Sequence, residues 1–110
     1  MAQLNNDLMS EMLGEMETAC GTPYAYLEFE SAPGAESYIA YYEDQPDQLG
    51  ADDMVWYSGR HFTVELYTPI YNPELEQTLT GIFDSHEVFW RRGPQVKIDT
   101  ENMIQTVFYL

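Results

Sequence analysis

The chain has 110 residues, 45% of them hydrophobic and 15% aromatic, with nine tyrosines. This is the size and composition of a single folded domain able to bury a core. Nineteen acids against four bases give a net charge of -15, which excludes direct binding to a phosphate backbone, because that needs a basic patch. The one cysteine, Cys20, cannot form an internal disulfide and suits a reducing compartment. The N-terminal segment lacks the basic start and unbroken apolar run of a signal peptide. No apolar stretch approaches the roughly 20 residues of a membrane helix, so a cytoplasmic site of synthesis is expected.

Leu4, Leu8, Met9, Met12, Leu13 and Met16 recur at helical spacing between polar residues, which predicts an amphipathic helix of about three turns. Gly21 and Pro23 end it. Residues 24–29 read as a strand and residues 31–35 as a turn. Residues 37–43, rich in β-formers, read as a second strand. An acidic loop over 44–53 follows, with Pro46 and Gly50 as breakers and mobility expected from charge repulsion.

A long strand runs from Met54 to Thr68, with Gly59 as a bulge or bend. Its second half alternates Phe62, Val64 and Leu66 with Thr63, Glu65 and Tyr67. Asn72-Pro73-Glu74 starts a helix: Asn caps, Pro suits the first position, and Glu faces the dipole favourably. Leu75, Leu79, Ile82 and Phe83 form its apolar stripe. Residues 87–92 and 102–110 read as a closing hairpin across Gly93-Pro94. The last strand is apolar on both faces, as a central or covered strand would be.

The order helix-strand-strand-strand-helix-strand-strand predicts an α+β fold, a mainly antiparallel sheet with helices on one face. The expected core contains Leu8, Leu13, Phe62, Val64, Leu66, Leu79, Ile82 and Phe108. The methionine stripe of the first helix reads as core too, with an adaptable docking face as the other use of such a stripe.

The chemistry-bearing residues favour a non-enzyme without cofactor or metal. Cys20 falls at a helix C-terminus, where the dipole disfavours a thiolate, and reads as a buried or half-buried structural thiol. Asp84-Ser85-His86 holds the residue types of a hydrolase triad, but consecutive residues do not build that geometry; it reads as a helix-ending turn. His61 and His86 have no ligand-spaced partner in the sequence. Asp52 and Asp53 lack the dense oxygen pattern of a calcium loop and read as a solvated loop or a contact to a neighbouring subunit. Arg91, Arg92 and Lys97 are three of the four bases and fall within seven residues. They are candidates for pairing between subunits of an otherwise acidic protein.

Tyr38-Ile39-Ala40-Tyr41-Tyr42, then Ala51-Asp52-Asp53, Val64-Glu65-Leu66-Tyr67-Thr68, the helix start at 73–76 and the closing segment 101–109 follow one another in an order that resembles the tail-completion proteins of long-tailed bacteriophages. These are also called tail terminators or tail-to-head joining proteins. The match spans about residues 23–110. The resemblance implies a homo-oligomeric ring, typically hexameric, that caps the tail tube and meets the head connector protein at the tail-head junction of the virion. It implies no catalysis and no cofactor, and its site residues do not transfer. DNA passes through the lumen of such a ring without specific binding, and an acidic lining keeps it from sticking. The competing reading is an acidic DNA mimic that inhibits a nucleic-acid-binding protein.

Overall fold

A computed structural model of the chain describes residues 4–29, 35–44 and 60–110. The first helix, α1, spans Asn6–Cys20. The Asn5 side chain accepts a hydrogen bond from the Leu8 amide at 2.8 Å, satisfying one of the unpaired donors of the first turn. Gly21 ends the helix in the left-handed region at φ 69°, a conformation that costs glycine little. Met9, Met12, Leu13 and Met16 are all fully buried, so the methionine stripe is core.

Strand β1 covers Tyr24–Tyr26, shorter than the 24–29 expected. Leu27 stops it by adopting φ 69°, outside the extended region a strand needs. Strand β2 is Tyr38–Glu43 and β3 is Phe62–Thr68. Helix α2, Pro73–Ser85, starts as the sequence indicates: the Asn72 side chain accepts from the Leu75 amide at 3.1 Å, and Pro73 opens the first turn. Strands β4, Arg91–Ile98, and β5, Met103–Tyr109, complete the chain.

The strands form one sheet in the order β1-β2-β3-β5-β4. Three of the four pairings are antiparallel, and β1 runs parallel to β2. The fold is therefore α+β with a mixed, mainly antiparallel sheet. The alternation on β3 sorts the faces. Phe62, Val64 and Leu66 point to the face on which both helices pack, joined there by Ile39, Tyr41, Leu79, Phe83 and Phe108. Leu8 and Ile82 pack against this core partly buried rather than inside it. Strand β5 lies between β3 and β4, so it is central in the sheet; Phe108 faces the helices, and Val107 on the other face is buried as well. No helix among the described residues is long and apolar enough to cross a membrane.

The final hairpin differs from the sequence reading. Strand β4 begins at Arg91 and runs through Gly93-Pro94, with a register shift between Arg92 and Gln95, and the chain reverses only at residues 99–102. Proline lacks an amide proton and is tolerated on an edge strand, where no neighbour requires one. The Gly-Pro pair therefore marks a bulge, not the turn. Residues 87–90 are not strand: Glu87 has φ 59°, while Val88 is buried in the core. The Met54–Gly59 half of the long strand expectation, the bulge at Gly59 and the loop from residue 45 to residue 53 lie outside the described residues.

Candidate functional site

Edge strand β4 carries Arg91, Arg92 and Lys97, so the only clustered cations lie along one rim of the sheet. The three do not act alike. The Arg91 guanidinium sits over the Tyr109 ring, 5.4 Å from its centre, a favourable contact with the ring's negative face. Arg92 turns to the helix side, where its Nε donates to Glu76 at 3.2 Å. Gln95 donates to the same carboxylate at 3.1 Å and to the Thr106 hydroxyl at 2.8 Å. Lys97 is exposed on the strand. The fourth cation, Arg60, forks onto Glu43 with two bonds of 2.7 Å, and this hydrogen bonding holds the Glu43 carboxyl below its usual range. Asp52 and Asp53 lie outside the described residues. Asp44, the last described residue before that loop, accepts from the Thr63 hydroxyl at 2.7 Å.

Between α2 and β4 runs an open groove of about 640 Å³. Tyr71, Trp90 and Phe108 give it apolar walls, and Glu76, Arg92 and Gln95 form a bonded polar strip. The Trp90 indole donates to Asp84 at 2.8 Å and its ring meets Phe108 edge-on. Tyr71 on its wall is 59% exposed, and Phe89, the residue before Trp90, is 74% exposed. No strand among the described residues pairs with the outer edge of β4. Pro94, Lys97 and the bulge are features that keep such an edge from templating another sheet. Neither the protein-family models nor the curated proteins compared with this chain match it.

The remaining candidates resolve individually. Cys20 is exposed, against the expectation of a buried or half-buried thiol. It stands one helical step beyond Met16 on the same stripe, but the whole last turn, residues 17–20, is exposed and overhangs the core. Asp84, Ser85 and His86 do end α2, and their side chains go to separate partners: Trp90, the Ile82 carbonyl and Glu15. The His61 Nδ1 lies 3.3 Å from the Leu110 carbonyl oxygen. His86 is not without a ligand-type neighbour, because helix packing brings it to Glu11 and Glu15. Their separation in sequence hid that association.

The sheet face opposite the helices presents Tyr38 stacked on Tyr67 at 4.8 Å. The Tyr67 hydroxyl donates to Glu65 at 3.0 Å and accepts from Gln105 at 2.9 Å. Burial, reinforced by Glu65, pushes its pKa up to about 12 against the lowering effect of the Gln105 bond. The unfolded chain loses this proton first, near the ordinary pH of about 10 for tyrosine. The stability contributed by the neutral hydroxyl is thus intact below pH 10 and is lost as pH rises through that value toward 12. Ultraviolet titration of wild type against Tyr67→Phe is expected to show one tyrosine fewer among those ionising last. An unchanged late fraction would place Tyr67 among the ordinary phenols.

Proposed function

We propose that this protein is a structural virion protein of a long-tailed bacteriophage, a tail terminator whose copies join into a ring between the tail tube protein and the head connector. The order of segments that resembles tail-completion proteins supports the reading, and an α+β domain is compatible with it. The observation that carries it is the edge strand β4. In a chain of net charge -15, this strand gathers Arg91, Arg92 and Lys97 on an exposed rim beside exposed Val96 and Phe89.

Identical subunits of such charge repel one another, so a closed joint needs local charge complementarity or apolar burial. Strand β4 offers both. Arginine suits the role because its planar fork binds a carboxylate with two hydrogen bonds, and every copy has carboxylates in excess. Arg92 already holds Glu76, which leaves Arg91 and Lys97 as the groups best placed to reach a neighbour. Moderate salt screens the general repulsion and favours assembly.

The native mass tests this. Light scattering of the wild type in moderate salt is expected to give a particle several times the mass of one chain. Changing Arg91→Glu and Lys97→Glu together, which leaves the internal Arg92–Glu76 pair intact, is expected to shift it toward monomers with the circular dichroism spectrum unchanged. A wild type that stays monomeric, alone and with purified tail tubes, would overturn the reading. An unchanged particle in the double variant would move the joint to an apolar surface.

A further inference from the structure

We propose that Glu11, Glu15 and His86 form a binding site for a divalent transition-metal ion of the zinc type. Glu11 and Glu15 are four residues apart on α1, so their carboxylates project from one helix face. His86 follows the last residue of α2, and its backbone amide caps that helix on the carbonyls of Ile82 and Phe83. Packing of the two helices brings the imidazole between the carboxylates. Its Nε2 lies 2.5 Å from Glu15 and its Nδ1 3.7 Å from Glu11. One ligand atom from each of the three residues lies within 4.8 Å of the others.

This donor set has a definite preference. Two anionic oxygens and one neutral imidazole nitrogen can fill three positions of a tetrahedral site, with water in the fourth. The nitrogen disfavours calcium and magnesium, which take oxygen ligands, and among the divalent metals zinc ranks above manganese and iron for such sites. The imidazole side chain is 20% exposed and extends from a backbone held by the cap, whereas the Glu11 and Glu15 side chains are 63% and 44% exposed. A metal binds one ring nitrogen, so the Glu15 pair must open and the carboxylate facing the other nitrogen must swing toward the first. Exposed side chains on one helix face can make both moves to reach ligand distances of about 2.0–2.2 Å. The metal displaces the Glu15–His86 hydrogen bond and leaves an open side for entry. The strongly negative chain raises the local concentration of cations. A bound ion would tie α1 to the end of α2, the two helices that cover the core.

Isothermal calorimetry and thermal melts with ZnCl2 test this site, each with MgCl2 as the parallel probe. Cys20→Ser serves as the background, which removes the exposed thiol as a competing ligand. Saturable binding of one Zn2+ per chain is expected, together with a rise in melting temperature that Mg2+ does not produce. His86→Ala is expected to weaken Zn2+ binding at least about tenfold, since loss of even an outer-shell partner commonly costs about 10–100-fold. The paired Glu11→Gln and Glu15→Gln substitutions, which keep side-chain size and hence the fold, are expected to do the same. Absence of Zn2+ binding in the background protein would overturn the proposal. So would equal binding by the background and both variants, which would mean diffuse attraction to an acidic surface. Neither result depends on whether the protein forms a ring.

Discussion

Phe108→Ala is expected to destabilise the protein by about 3–5 kcal/mol, the range for removing a fully buried phenylalanine. Phe108 is fully buried on β5, the strand between β3 and β4, opposite Val64 on one side and Arg92 on the other. Its ring meets Phe83 of α2 and Trp90 edge-on, at 6.3 and 6.1 Å between ring centres. Alanine there would leave a cavity shared by sheet and helix, and neither backbone can collapse into it without breaking strand pairing or the helix cap. The ring also floors the groove beside β4, so the loss would loosen Trp90. Urea unfolding measures the effect, with Phe89→Ala as the control. Phe89 is exposed, and its removal is expected to change stability by no more than about 0.5 kcal/mol. A similar small change at Phe108 would show that the core does not close over β5 as described.

Gly93→Ala is expected to cost about 1–3 kcal/mol, the range for overpacking, and to disturb Arg91. A Cβ on Gly93 would lie 2.6 Å from Cε2 of Tyr109, 3.1 Å from its Cζ and 3.2 Å from the Val107 carbonyl oxygen. The first distance is inside contact range, and the nearest atoms belong to a ring and a strand backbone rather than to a flexible side-chain end. Tyr109 must therefore move, and with it the platform on which the Arg91 guanidinium rests. The gain from restricting the unfolded chain, about 0.4–1 kcal/mol, is smaller than the steric cost. Urea midpoints of the variant and wild type measure the balance, and the particle mass reports whether Arg91 has lost its orientation. Wild-type stability in Gly93→Ala would show that the pairing of β4 with β5 gives way easily at the bulge.

The sequence by itself determined the features set within a few residues. Asn5 and Asn72 cap because a short amide side chain reaches the amide three residues on. The methionine stripe is buried because its spacing follows the helix turn. Phe62, Val64 and Leu66 share a face because a strand alternates. Enough of this survived to yield the α+β order of elements. The tertiary structure decided what depends on neighbours distant in the chain. Gly93-Pro94 reads as a turn anywhere except on a sheet edge, and only the strand order β1-β2-β3-β5-β4 makes β4 an edge. Tyr26 and Leu27 read alike as strand formers, but the ladder with β2 ends at Tyr26: the Leu27 amide still donates to the Tyr41 carbonyl at 2.7 Å, and the backbone turns left-handed there. Cys20 lies on a buried stripe by periodicity, yet the core ends one turn earlier. The Glu15–His86 contact joins residues 71 positions apart, and it exists because two amphipathic helices bury their stripes on the same sheet face. Local periodicity says which side of each helix is buried; the packing of α1 against α2 fixes which polar residues meet at the rim.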